Sequence, residues 1–275
     1  MVYRYGKLDI VDFGRRLLSS GDLDPVYLAL NRSPWDRDQK LRWLVAYCAF
    51  YHAGAATWLS RQQSDRFWAW MALAADNELV APPGGRWPRG AERRHFRGGL
   101  AARTIAIWRE RHHEPETMFL ELADKGPLFS DVRAAARSIY SVGDWMSFKM
   151  VDLVDACLDG EVDQSNLQDF MYEAPVKSLL REWKVRMGFS PDQEVKPKDL
   201  PGTIRAMNEW LRLQLSDQQV PHKPGRPLDN FCLETIWCKC GSHLNGHYPV
   251  GHDIREIRKG LEGWQADDFG KGLPE

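Results

Sequence analysis

Apolar residues recur at helical spacing along nearly the whole chain, and no run of alternating β-branched residues bounded by hairpin turns interrupts them. This pattern predicts an all-α fold. Helices are expected at about 9–19, 24–32, 36–61, 64–76, 91–111, 116–123, 131–140, 145–158, 165–186, 203–215, 230–240 and 253–264, with Pro175 dividing or kinking the ninth. In the second, Asp24 is placed as N-cap and Pro25 in the first turn, where a missing amide proton costs nothing. The third is the longest, with a stripe of Leu41, Leu44, Val45, Cys48, Ala55, Trp58 and Leu59, and it reads as a central core helix. Gly54 sits there in a run of small residues that allows another helix to approach closely. The chain reads as a single compact helical unit over 1–275, divisible into a basic lobe (about 1–125) and a hairpin-containing lobe (about 126–275).

No uninterrupted apolar run approaches the roughly 20 residues a spanning helix needs, and the start, MVYRYGKLDIVDFGRR, lacks the apolar core of a secretory signal. No membrane partner is expected, and the chain reads as cytoplasmic. The 5 cysteines are an odd number and form no disulfide framework by spacing.

A net charge of −1 conceals an asymmetry. Residues 1–113 hold 18 Lys/Arg against 11 Asp/Glu, whereas 114–275 hold 19 against 27. Within 86–111, eight arginines face only Glu92 and Glu110. Guanidinium keeps its charge and matches phosphate oxygens bidentately, so nucleic acid or a phosphorylated substrate is implied. The densest part, ERRHFRGG (92–99), brings Arg93, Arg94 and Arg97 to spacings of one, three and four, with His95 between them. A solvated basic face is the plainer reading. Like charges so close nevertheless repel unless an anion or a carboxylate lies between them.

SVGDWMSFKMVD (141–152), flanked by helices, has the outline of a helix-hairpin-helix, whose exposed amides favour a phosphate oxygen. Ser141 stands where the hairpin of DNA glycosylases usually carries its first glycine, and only Gly143 remains. The plainer reading is an ordinary corner with Gly143 in a left-handed conformation. Lys149 and Asp152 share a helical face and can pair, by default on the surface. Farther on, FCLETIWCKCGSHLNGHYPVGHDI (231–254) invites a zinc reading, but Cys238 and Cys240 are one residue apart in an expected helix and point to different sides. No metal ligands are assigned. GHYPVGHD is a polar turn whose Tyr248, His247 and Asp253 either face a cleft or satisfy a structural loop.

Four segments in this order, DPVYLALNR (24–32), ERRHFRG (92–98), SVGDWMSFKMVD (141–152) and ETIWCKCGSHLNGHYPVGHDI (234–254), resemble the α-glutamyl/putrescinyl thymine pyrophosphorylase group. These proteins, also described as amino acid:DNA transferases, serve thymine hypermodification in bacteriophages and are distantly similar to helix-hairpin-helix DNA glycosylases. The resemblance implies a helical DNA glycosylase-like architecture. It also implies a substitution on double-stranded DNA carrying activated 5-hydroxymethyluracil, in which the amine of a free amino acid, or another amine, displaces phosphate or pyrophosphate.

Set against that reaction, Arg93, Arg94 and Arg97, with Arg32 and Gly143, are candidates for holding phosphates or DNA. Asp152, His52 and His247 are candidate bases for the incoming ammonium, and Lys149 is a fourth catalytic candidate. Tyr27, Asn31, Tyr51, Trp145 and Tyr248 are candidates for a pocket that excludes water from the reacting carbon. A flipped base suits such a pocket, although a C5 substituent is also reachable from the major groove. No cofactor is required by the sequence, and a divalent metal is left open. A DNA glycosylase or lyase and a non-catalytic helical DNA-binding protein are the alternatives.

Overall fold

The computed structural model describes residues 8–88, 100–158, 161–167, 183–184, 190 and 195–275. Among these residues the chain is helical, without a strand; one isolated antiparallel bridge joins Gln219 to Pro227. No helix among them is long and apolar enough to cross a membrane. They cluster into two compact units, each drawing on both sides of residue 125. One comprises Met1–Pro25, Asp163–Ile254 and Pro274–Glu275; the other comprises Val26–Val162 and Arg255–Leu273.

In the first unit, α1 (Ile10–Ser20) begins where the Asp9 carboxylate accepts from the amides of Val11 and Asp12, and ends at Gly21 in the left-handed conformation. It buries Ile10, Phe13, Gly14, Leu17 and Leu18, a single stripe at helical spacing. A Cβ on Gly14 would stand 3.1 Å from Leu215 and 3.2 Å from Ile236, so α1 lies close against its neighbours.

The second unit is built on α2 (Pro25–Arg32), α3 (Arg37–Phe50), α4 (Ala53–Ser60), α5 (Ser64–Asp76), α6 (Leu100–Arg111), α7 (Thr117–Ala123), α8 (Phe129–Arg137) and α9 (Asp144–Cys157). Every residue of α3 from Trp43 to Phe50 is buried, as a helix apolar on all sides requires. The helix expected over 36–61 is in fact two. Tyr51 adopts a left-handed conformation (φ 52°) that ends α3, and the next residue, His52, caps α4 by accepting from the amide of Ala55 at 3.1 Å. Neither residue type announces a break, so spacing alone runs through it.

Farther along, the described residues include α10 (Leu200–Gln214), preceded by a 3₁₀ turn at Pro197–Asp199, then α11 (Asn230–Leu244), both in the first unit, and α12 (His252–Leu261), which begins there and continues in the second. A short α13 (Asp267–Gly270) closes the second unit. The small residues of α4 do admit a neighbour. A Cβ on Gly54 would lie 2.4 Å from the carbonyl oxygen of Gly260 and 2.6 Å from Trp264, so backbone meets backbone. The tail also returns to α2, since a Cβ on Gly272 would lie 2.7 Å from the Ala29 carbonyl oxygen, and the Trp35 indole donates to Asp268 at 2.6 Å.

The corner between α8 and α9 differs from expectation in one respect. The left-handed residue is Ser141 (φ 64°), whereas Gly143 is extended (φ −87°, ψ −175°) and serves as the N-cap of α9. The nearest atom a Cβ on Gly143 would meet is an Arg137 nitrogen 4.0 Å away, so packing places no demand for glycine there. The segments expected at 91–99 and most of 165–186 lie outside the described residues.

Candidate active site

Helix α9 carries Trp145, Lys149, Asp152 and Ala156 at i, i+4, i+7 and i+11, one face of the helix. Asp144 in its first turn suits the positive end of the dipole and pairs with Arg133 (3.0 Å) and Arg137 (3.4 Å) of α8. Tyr27 and Asn31, four apart on α2, meet the same face. The Asn31 amide donates to the Ala156 carbonyl at 3.0 Å, and the buried Tyr27 hydroxyl donates to Oδ2 of Asp152.

Lys149 completes the group. Its ammonium donates to the same Oδ2 at 2.7 Å and stands 4.6 Å from the centre of the Tyr27 ring. The spacing expectation of a Lys149–Asp152 pair is met, but not on the open surface: the side chains are only 15% and 8% exposed. A carboxylate with so little solvent needs these charge-assisted hydrogen bonds. Both engage Oδ2, and Oδ1 takes no part in them. Beside them, Tyr51 stacks obliquely on Tyr47 (4.8 Å) and meets Trp145 edge-on (5.5 Å). Trp145 is exposed. The second unit thus brings together six of the residues singled out in the sequence: Tyr27, Asn31, Tyr51, Trp145, Lys149 and Asp152.

The remaining candidates lie elsewhere. His52 uses its Nδ1 lone pair to cap α4, and burial pushes its pKa down to about 4, so the ring stays neutral. Arg32 is exposed, and its guanidinium reaches the Gly272 carbonyl at 3.4 Å. Gly143 is exposed at the start of α9. Arg93, Arg94 and Arg97 lie outside the described residues.

In the first unit, GHYPVGHDI wraps a carboxylate that sequence reasoning overlooked. Asp22 is fully buried and accepts from the amides of Gly251 (2.7 Å) and Ile254 (3.0 Å) and from the Tyr248 hydroxyl (3.2 Å). Lys239 donates to the Asp22 carbonyl at 2.8 Å and pairs with Asp253 at 2.7 Å. Burial raises the Asp22 pKa against the hydrogen bonds and the Lys239 charge, and the Tyr248 phenol is raised by burial and then by the Asp253 and Asp22 carboxylates. Tyr248 therefore serves the loop through its hydroxyl, and His247 is exposed on the turn before it. No local sequence signal links Asp22 to this turn.

Arginines also gather at the α8–α9 corner. Besides Arg133 and Arg137 on Asp144, Arg111 donates to the Ser138 carbonyl (3.0 Å), Arg137 to that of Val142 (3.4 Å), and the Arg103 guanidinium lies 5.5 Å from the Tyr140 ring centre. Only Arg103 and Arg111 belong to the Arg-rich run; Arg133 and Arg137 were legible only as an i, i+4 pair on one helix. Among the described residues, no group of three or more His, Cys, Asp or Glu is placed to hold a metal ion.

Comparison with known proteins gives this geometry its context. The chain is 36% identical over its whole length to a glycinyltransferase of Pseudomonas phage PaMx11, covering 99% of that protein. It is 24% identical to a putrescinyltransferase of Delftia phage PhiW-14, over 92% of this chain and 78% of the relative. The model of the amino acid:DNA transferase family matches residues 8–221, a span that includes all six residues gathered on α2, at the end of α3 and on α9. The chain belongs to the amino acid:DNA transferase family.

Proposed function

We propose that this transferase joins an amine, in the first instance that of an amino acid, to the exocyclic methylene of a phosphorylated or pyrophosphorylated 5-hydroxymethyluracil in double-stranded DNA. The nitrogen lone pair forms the C–N bond, the C–O bond breaks, and the departing phosphate or pyrophosphate keeps the electron pair. The ammonium must shed a proton first, because its lone pair is otherwise occupied.

Asp152 is the base that the geometry favours. His52 already uses its lone pair within α4, and His247 sits on an exposed turn. Asp152 is enclosed, and its Oδ1 stands outside the Tyr27 and Lys149 hydrogen bonds, so it has lone pairs to receive the proton. Lys149 supplies a fixed positive charge beside it, suited to an anion forming at the reacting centre. Tyr51 and the exposed Trp145 offer aromatic faces on which a pyrimidine can stack. The arginines about the α8–α9 corner suit the DNA backbone, and Arg93, Arg94 and Arg97 suit the leaving anion. The observation that carries this reading is the convergence of Tyr27, Lys149 and Asp152 on one carboxylate oxygen, inside the span shared with the family. The names of the phage relatives support amine transfer, with glycine and putrescine as the first amines to try. Such an enzyme would act in the host cytoplasm, where phage DNA is accessible.

The test is mass spectrometry of nucleosides from 5-hydroxymethyluracil DNA treated with a phosphorylating kinase, this protein and a panel of amines. A nucleoside carrying the added amine is the expected product. Release of free base, or recovery of the activated nucleoside unchanged with every amine, would overturn the reading.

A further inference from the structure

In the first unit, the chain just ahead of α1 is tied to the last turn of α11 through one imidazole. His243 is 6% exposed, and both of its ring nitrogens are engaged. Nε2 lies 3.1 Å from the Leu8 amide, which can only donate. Nδ1 lies 2.8 Å from the Tyr248 carbonyl oxygen, which can only accept. These two partners leave the ring a single state: neutral, with the proton on Nδ1 and the lone pair on Nε2. Phe13 of α1 stacks on the ring at 4.6 Å and meets Tyr248 edge-on at 6.3 Å. The same imidazole therefore sits between the head of α1 and the turn that wraps Asp22.

A second proton on this ring breaks one bond and spares the other. Placed on Nε2, it points at the Leu8 N–H and turns a hydrogen bond into a contact between two donors. The bond from Nδ1 to Tyr248 survives, because that nitrogen already donates. Histidine is the side chain that takes on charge between about pH 5 and 8, and the C-terminal turn of a helix favours a positive charge. The charged groups on the elements packed against the ring are committed elsewhere. Asp9, at the head of α1, accepts from the amides of Val11 and Asp12. Asp22, bonded to the Tyr248 hydroxyl, accepts from those of Gly251 and Ile254. Asp253 pairs with Lys239, whose ammonium stands 5.1 Å from the centre of the Tyr248 ring, and the titratable ring of His252 lies 5.0 Å from it.

We propose that His243 is a proton-operated latch: neutral, it holds Leu8 to α11, and charged, it lets go of Leu8 while keeping the turn at Tyr248. Helix α1 retains its own cap at Asp9, so the opening concerns the chain before the helix. The latch does not depend on the transfer reaction, whose candidate groups Tyr27, Lys149 and Asp152 lie in the second unit.

Nitrogen NMR of the His243 ring in the full-length protein reads the tautomer, and hydrogen exchange at the Leu8 amide, corrected for its intrinsic pH dependence, reads the latch. At about pH 7.5 the ring should carry its proton on Nδ1 alone. Between about pH 7.5 and 5.5, protection of the Leu8 amide should fall at least about tenfold, in step with the charging of the ring, while amides in the middle of α11 keep theirs. His243→Gln, which cannot titrate, should abolish this pH dependence whatever level of protection it leaves. The proposal falls if Nε2 carries the proton in the neutral ring, or if the ring stays uncharged down to about pH 5. It falls equally if Leu8 remains protected once the ring is charged, or if the pH dependence persists in His243→Gln.

Discussion

The hydroxyl of Tyr27 donates to the carboxylate of Asp152, a residue 125 positions away in the chain, and the ammonium of Lys149, one helical turn before Asp152 on α9, reaches the same oxygen. Replacing Asp152 by Asn keeps the shape and removes the proposed proton acceptor, so single-turnover amine transfer should fall at least about 100-fold. Tyr27→Phe removes one donor from a buried carboxylate; stability should drop by about 1–3 kcal/mol in denaturant unfolding, and the rate should fall less than with Asp152→Asn.

Lys149→Met should be the costlier stability change. It leaves the Asp152 charge without its cation at a site where the two side chains are 15% and 8% exposed. Breaking one side of such a pair typically costs about 3–5 kcal/mol, read as a shift in the urea midpoint. Lys149→Arg, which restores the charge, should recover part of the loss.

Acid should destabilise the protein partly through His52. Its folded pKa is about 4 against an ordinary 6.5, so between these values the unfolded chain binds the proton and the folded one refuses it. The contribution is complete above pH 6.5 and declines toward pH 4, by about 3 kcal/mol in all. His52→Asn retains an N-cap side chain, and its unfolding free energy measured against pH should have a shallower acid limb than the native protein.

The two hairpin positions should respond oppositely to substitution. Gly143→Ala should change Tm little, since the backbone there is extended and the space open. Ser141→Val forces a β-branched residue into a left-handed conformation and should cost about 1–2 kcal/mol. If Gly143→Ala proved the more damaging in thermal unfolding, the observed assignment of the corner would be wrong.

Much of the helical frame was legible because it rests on local rules. Asp9 and Asp36 are capping residues in front of apolar stripes, and α5 begins and ends where periodicity placed it. The approach at Gly54 was readable from a cluster of small side chains. The break at Tyr51 was not, because a tyrosine in left-handed conformation and a histidine cap leave no compositional mark. The site divides in the same way. Lys149 and Asp152 were paired by i, i+3 spacing, but no local rule connects Tyr27 to Asp152 or Asp22 to the turn at Gly251. Such pairings exist only once the helices have packed.

The return of the C-terminal tail to α2 bears on how far a transferase of this kind can be trimmed. The family match stops at residue 221, yet Gly272 nestles on the Ala29 backbone and Asp268 receives the Trp35 indole, so residues beyond the match pack against α2 and the segment after it. Severing the chain at that boundary would strip a covering layer from the helix that presents the phenol. A fragment ended at residue 221 should therefore unfold at a lower temperature than the full chain.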